Sequence, residues 1–204
     1  MNKYPWLVRI TTRLPEGGGT FDHYCGGTLI ASKYVISAAH CFFVTNEDYI
    51  ITSERTAEET AILIGAHNLN TGETNLPLKF VNVKTFIHHP ECDQQIGQEH
   101  VVGDGFDITI LELEEEVDLE VYTPACLAES SDDTAFDNKT AIAAGWGNIA
   151  DGGPAPNPFV PHEVELPVIA AADCKWSSDV PSIMCAGLPE EGKDICQVSG
   201  AYFT

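Results

Sequence analysis

Basic residues are scarce in this sequence. Lysine and arginine number 10, against 31 aspartates and glutamates, and the formal net charge at pH 7 is −21 over 204 residues. Nucleic acids and anionic membrane surfaces repel a chain of this charge, so we expect neither kind of partner. The acidic residues are spread along the chain and densest in 112–120, and we interpret them as a solvated surface rather than a patch for cationic partners.

Long apolar runs and closely spaced cysteine pairs are also missing. No segment could span a membrane, and residues 1–8 lack the apolar run of a signal peptide. No Cys-x-x-Cys pair supports a zinc ribbon or a thioredoxin site, since the seven cysteines stand at 25, 41, 92, 126, 174, 185 and 196. Disulfides in an oxidising compartment are preferred over reduced cysteines in a cytosolic protein. We therefore expect a secreted protein whose export and activation segments precede this sequence.

Short segments rich in β-branched and aromatic residues dominate the chain, and helical periodicity is nearly absent. This pattern predicts an all-β sandwich or barrels. A polar stretch at 118–137 predicts a linker between two β halves, and the proline-rich stretch 151–161 predicts an exposed loop. The predicted strands are Trp6–Thr12, Tyr24–Ala31, Tyr34–Ser37, Ala61–Gly65, Lys79–Ile87, Ile108–Leu113, Thr140–Ala144 and Val164–Ile169, with a turn at Ala38–Phe42 and a short helix near Ala170–Ser177.

The most informative segment places His40 next to Cys41, with Cys25 one strand pair earlier. A bridge between the two cysteines would restrain the loop that carries His40. A general base needs such a fixed position, because small displacements abolish catalysis. The alternative is an ordinary, partly buried histidine.

Several segments in order resemble the chymotrypsin/trypsin-like serine proteases (peptidase family S1). Ser37-Ala38-Ala39-His40-Cys41 is similar to the sequence around the family's catalytic histidine, and Asp107-Ile108-Thr109-Ile110-Leu111 is similar to the strand that carries its catalytic aspartate. Ala143–Gly147, Leu166–Val168, Ile183–Gly187 and Gly192–Gln197 also match. The resemblance implies two antiparallel six-stranded β-barrels, the first at about 3–117 and an incomplete second at about 138–204.

The resemblance also implies roles for individual residues. His40 would act as the general base, and Asp107 would orient and stabilise its imidazole. Asp194 matches the base of the specificity pocket, which implies cleavage of protein or peptide substrates after Arg or Lys. A solvated loop acid is the alternative for Asp194.

The sequence departs from the family after Gln197. The family continues Gly-Asp-Ser-Gly-Gly-Pro, whereas this chain has Val198-Ser199-Gly200. Aligning Ser199 with the nucleophile replaces the preceding Gly-Asp by one β-branched residue, which is poorly suited to supply the oxyanion amide. We therefore expect Ser199 to be an ordinary serine and the chain as written to be inactive. The alternative is a non-catalytic homologue that acts as a binding or regulatory module.

The family's disulfides imply Cys25–Cys41 and Cys174–Cys185 bridges, while Cys196 lacks its usual partner. Cys126 matches a position that often joins the protease domain to an upstream pro-domain or light chain, and Cys92 has no counterpart. Ala66 stands where calcium-binding members place a glutamate, so we expect no metal site, and no cofactor is implied. Because the later strands of the second barrel are missing, we also expect Trp146 and Trp176 to be poorly buried.

Overall fold

The computed structural model describes residues 3–13, 22–48, 50–68, 76–92, 106–129, 134–147, 160–170, 172–174, 184–187 and 202–203. The strands within these residues are β1 Leu7–Thr12, β2 His23–Ala31, β3 Tyr34–Ser37, β4 Phe43–Thr45, β5 Ile51–Glu54, β6 Thr60–Ile64, β7 Lys79–His88, β8 Thr109–Leu113, β9 Thr140–Gly145, β10 His162–Pro167 and β11 Tyr202–Phe203. Two short 3-10 helices span Ala39–Phe42 and Ala57–Glu59.

Six of the strands close an antiparallel barrel in the order β1-β2-β3-β8-β7-β6. Strand β8 illustrates the pattern, because Thr109, Leu111 and Leu113 are buried while the two residues between them are partly exposed. Each fully buried leucine or isoleucine stabilises the barrel by about 1.5–3 kcal/mol relative to an exposed one. The interior is tightly filled at Gly27, where an added Cβ would lie 2.6 Å from Cγ1 of Val35.

The chain continues past the barrel and packs on its core before the second unit begins. Val117 and Tyr122 belong to the core cluster, and the Tyr122 hydroxyl donates to the Pro77 carbonyl at 2.7 Å. The backbone N–H of Ala125 donates to the Leu29 carbonyl at 2.9 Å. The two compact units of the chain are residues 1–125 and 126–204.

In the second unit, the described residues form a three-stranded antiparallel sheet in the order β10-β9-β11. Leu166 and Trp146 are buried, so the expectation of a poorly buried Trp146 is wrong. The Trp146 side chain is only 9% exposed. Near the predicted helix at 170–177, the N–H groups of Asp173 and Cys174 donate to the Ala170 carbonyl, forming a turn. Residues 171 and 175–177, including Trp176, lie outside the described residues.

The all-β, trypsin-like fold predicted from the sequence is confirmed. Each of the eight predicted strands corresponds to a strand of the structure with boundaries shifted by at most two residues. The β4–β5 hairpin was missed, because its two strands are only three and four residues long. No helix among the described ranges is long and apolar enough to cross a membrane.

Candidate active site

His40 and Asp107 are hydrogen-bonded to each other in the first unit. Nδ1 of His40 lies 2.7 Å from Oδ2 of Asp107, and the backbone N–H of His40 donates to Oδ1 at 2.8 Å. The carboxylate therefore contacts both the ring and the main chain of one residue. This double contact restrains the rotation of the imidazole as well as its distance from the carboxylate.

The backbone around His40 is fixed from two directions. His40 lies in the 3-10 helix Ala39–Phe42, and the next residue, Cys41, is bonded to Cys25 of β2. In β3, the buried hydroxyl of Ser37 donates to the Gly26 carbonyl at 2.9 Å. The short helix is thus tied to the barrel wall through a covalent bond and a buried hydrogen bond, which places His40 at a defined point of the fold.

Asp107 is held at the start of β8 by a tight turn. The N–H of Ile108 donates to the Phe106 carbonyl at 2.7 Å, and Phe106 has a positive φ of 66°. Few non-glycine residues adopt this conformation, so the surrounding contacts must hold it. The Phe106 ring stacks on His89, with ring centroids 4.5 Å apart. The stacking of Phe106 on His89, the residue after β7, therefore helps to hold the turn that places Asp107 just before β8.

The environment keeps Asp107 ionised. Burial by itself would raise its pKa, but the hydrogen bonds and charge of His40, together with the N–H groups of His40 and Ala39, lower the pKa below its usual value of 3.8. A carboxylate at Nδ1 requires a proton on that nitrogen, so Nε2 is the basic nitrogen of neutral His40. The His40 side chain is 37% exposed. This arrangement allows His40 to accept a proton from an approaching group while Asp107 stabilises the resulting imidazolium.

The site does not have the donors of a metal centre. Among the described residues, the one group of histidine, cysteine and acidic side chains close enough to share an ion comprises Cys25, His40 and Cys41. The two sulfurs form a disulfide, so neither is a thiolate ligand. Nδ1 of His40 already faces Asp107.

Sequence reasoning missed a second group of residues beside the hydrogen-bonded pair of His40 and Asp107, which we call the dyad. The β4–β5 hairpin follows directly after the helix of His40, and its last residue, Glu54, accepts a hydrogen bond at Oε1 from Nε2 of His88 at 3.0 Å. Nδ1 of His88 contacts the buried hydroxyl of Thr109, two residues after Asp107. His88 therefore connects the hairpin to the strand that carries the aspartate. The turn-forming Asn46 was the available signal for the hairpin, whereas nothing in the sequence marked His88.

The base of the β4–β5 hairpin also contacts residues adjacent to the Cys25–Cys41 disulfide. The N–H of Arg55 donates to the Phe42 carbonyl at 2.7 Å, and its guanidinium lies 4.2 Å from the centroid of the Tyr24 ring. Tyr24 precedes Cys25 and meets the Phe42 ring edge-on. Cation–π and aromatic contacts of this kind contribute about 0.5–1.5 kcal/mol each. They hold the hairpin base against the residues that position His40.

Both predicted disulfides are present, at Cys25–Cys41 and Cys174–Cys185. Cys126 is exposed. The other predicted site residues, Asp194 and Ser199, lie outside the described residues, as does Cys196.

Known proteins resemble this chain over nearly its whole length. A family model described as Trypsin matches residues 1–200. A venom serine protease of Bombus ignitus is 29% identical over 97% of this chain and 52% of its own length. A trypsin of Simulium vittatum is 29% identical over 95% of this chain and 69% of its own length, and ovochymase-2 of Mus musculus is 28% identical over 95% and 29%.

The chain thus spans about half the length of the Bombus ignitus relative and under a third of the mouse one. The family match nevertheless covers both units, including the barrel that carries His40 and Asp107. The chain belongs to the trypsin family of serine proteases.

Proposed function

We propose that this chain is the protease domain of an extracellular serine endopeptidase that cleaves protein substrates after Arg or Lys. His40 and Asp107 would be two members of its catalytic triad. The observation that carries the proposal is the 2.7 Å contact between Nδ1 of His40 and Oδ2 of Asp107, reinforced by the backbone N–H of His40. A protein that only binds a partner has no need of an imidazole held in one tautomer by a partly buried carboxylate.

In this mechanism, His40 removes the proton from a serine hydroxyl as the oxygen attacks the scissile carbonyl. The same nitrogen then returns the proton to the leaving amine. Asp107 remains ionised throughout and stabilises the imidazolium. Its lowered pKa suits that role, because a carboxyl that stayed protonated could not stabilise a cation.

Specificity for basic residues rests on Asp194. In the sequence motif it shares with trypsin-like relatives, a carboxylate at this position would pair with the guanidinium or ammonium of the substrate. Arg and Lys substrates would then be favoured over neutral ones, because a buried carboxylate without a cationic partner is costly.

The segment after Gln197 limits what the chain can do as written. Val198-Ser199-Gly200 contains a serine followed by a glycine, as in the family. Before that serine, however, the single residue Val198 stands in place of the family's Gly-Asp. A β-branched residue before the serine disfavours the backbone needed to present an oxyanion N–H. We propose that Ser199 is not a working nucleophile and that the 204-residue chain does not turn over substrate.

This same departure supports a second candidate, a non-catalytic homologue that binds Arg- or Lys-containing protein segments and acts as a regulatory module. Exposed Cys126 supports a covalent partner, proposed to be an upstream pro-domain or light chain joined by a disulfide. The two intramolecular disulfides favour an oxidising, extracellular location, as does the venom protease among the relatives.

Ester hydrolysis by the purified chain and by a repaired variant tests these proposals. The repair replaces Val198 by Gly-Asp, which restores the family pattern before Ser199. We expect no turnover of arginyl or lysyl esters by the unmodified chain and measurable turnover by the repaired one. In triads of this type, Asp→Asn lowers kcat by about 10⁴-fold, so adding Asp107→Asn to the repaired chain should abolish the signal. Asp194→Asn should remove the preference for arginyl over leucyl esters.

Other results would change the assignment. Turnover by the unmodified chain that Ser199→Ala abolishes would contradict the proposed inactivity. A repaired chain that stays silent, yet binds an arginyl peptide in calorimetry and loses that binding with Asp194→Asn, would favour the binding module.

A further inference from the structure

The turn that leads into β9 contains a sequence with a chemical role that the protease fold does not require. Asn138-Lys139-Thr140 has the pattern Asn-x-Ser/Thr with x other than proline. No other asparagine of the 204 residues has a serine or threonine two positions later. In an exported protein this pattern marks an acceptor for N-linked glycan when it lies on the surface.

The structure places this asparagine on the surface of the second unit. Asn138, Lys139 and Thr140 are all exposed. The turn is closed by the N–H of Lys139, which donates to the Phe136 carbonyl at 3.1 Å, and Asn138 occupies its third position with a φ of 57°. Asparagine tolerates this left-handed conformation better than most residues, so the turn itself is compatible with Asn138.

Backbone contacts fix the turn without using the asparagine side chain. The N–H of Asn138 donates to the Val168 carbonyl at 3.1 Å, and the N–H of Val168 donates to the Lys139 carbonyl at 2.7 Å. The side-chain amide of Asn138 makes no hydrogen bond to any residue of the described part of the chain. Replacing one of its amide hydrogens with a sugar therefore breaks no contact of the folded turn.

An aromatic ring lies two residues before the asparagine. Phe136 is 39% exposed, and Nζ of Lys139 lies 5.5 Å from its ring centroid. The exposed part of an aromatic side chain is apolar surface against which the C–H groups of a pyranose can pack. A sugar on Asn138 would thus lie close to a partly exposed aromatic ring.

We propose that Asn138 carries an N-linked glycan. In the reaction, a bond forms between Nδ2 of Asn138 and C1 of the first N-acetylglucosamine of a lipid-linked oligosaccharide. The bond between that C1 and the lipid pyrophosphate breaks, the lipid pyrophosphate leaves, and the amide nitrogen loses one proton to the solvent. No oxidant or reductant takes part, and Thr140 supplies the hydroxyl that the acceptor sequence requires. The inference depends on passage through the secretory pathway, which the two disulfides favour, and not on protease activity.

Expression of the whole chain behind a secretion signal in insect cells tests the proposal. A second acceptor sequence, Asn-Gly-Thr, is appended to the carboxyl end as a reporter that the chain has reached the lumen. Intact mass before and after peptide N-glycosidase digestion counts the glycans in both the secreted and the retained pools. We expect two glycans on the reporter chain and one after Asn138→Gln. Thr140→Ser should retain glycan at Asn138, whereas Thr140→Ala should lose it.

Two results would overturn the proposal. One is a reporter chain that carries glycan only at the appended sequence. The other is a second glycan that persists in Asn138→Gln, because the modified residue would then lie elsewhere. Neither result depends on ester hydrolysis, so failure of this site and failure of the proposed protease function are distinguishable.

Discussion

Removal of the Cys25–Cys41 disulfide is the perturbation with the most direct effect on the dyad. The bond joins β2 to the 3-10 helix of His40, and both cysteines are buried in the barrel core. The double substitution Cys25→Ala and Cys41→Ala avoids leaving a reactive thiol. It removes a covalent tie without removing either hydrogen bond between His40 and Asp107.

The magnitude follows from the length of the closed loop. The two cysteines are 16 residues apart. Closing a loop of about this length in the unfolded chain stabilises the folded state by about 3 kcal/mol in the chain-entropy model. The free energy of opening the first unit should fall by that amount. Because 1.4 kcal/mol is about tenfold in an equilibrium constant, the open population should rise roughly 100-fold.

Hydrogen exchange measured by mass spectrometry is the assay, read on the amides of β8, Thr109–Leu113. This strand lies between β3 and β7 in the closed barrel, so its amides exchange only when the barrel opens. The matched control is Cys174→Ala with Cys185→Ala, which removes a loop of 11 residues in the other unit. We expect the control to speed exchange in β9 and β10 and to leave β8 nearly unchanged.

An increase of less than about threefold in β8 exchange would refute the reasoning, because the loop entropy would then be compensated in the unfolded ensemble. An equal increase in both double variants would refute it in another way. It would show that the loss of either bridge destabilises the whole chain rather than its own unit.

Two further substitutions probe the site itself. Asp107 has a lowered pKa in the folded state, so it contributes stability above its usual pKa of 3.8, and that stability is lost as pH falls through the folded pKa. Asp107→Asn should therefore lower the free energy of unfolding at neutral pH by about 1 kcal/mol, measured by urea denaturation. The difference in stability from wild type should shrink at lower pH. A difference in stability that is independent of pH would contradict this reasoning. His88→Phe keeps the aromatic packing but leaves the buried hydroxyl of Thr109 without its ring partner, at a cost of about 1–2 kcal/mol in urea unfolding. Adding Thr109→Val should recover most of the loss, and no recovery would show that the cost arises from packing.

The barrel strands could be predicted because local pattern and tertiary role agree there. In β8, every second residue is apolar or small and faces the core, and the period-two pattern is visible in the sequence. The β4–β5 hairpin lacked this agreement. Its strands are short and mostly exposed, so their pairing depends on contacts from Arg55 and Glu54 that no local pattern encodes.

Trp146 is a residue whose burial was underestimated from the sequence. Its poor burial was inferred by comparing the number of predicted strands with that of a complete barrel. The residue is nevertheless buried, because only 9% of its surface is exposed. Burial depends on which atoms surround a side chain, and a count of strands does not identify those atoms. Strand counts therefore predict the topology better than they predict the exposure of one residue.

The sequence alone determined which side chains can act: a histidine beside a cysteine, an aspartate before a β-strand, and the family to which both patterns belong. These are properties of residue type and local order, and they survive without coordinates. Only the tertiary structure decided that Nδ1 of His40 and Oδ2 of Asp107 lie 2.7 Å apart, and that His88 connects Thr109 to the neighbouring hairpin. Such distances between residues far apart in the chain are set by barrel closure, which depends on the packing of all six strands at once.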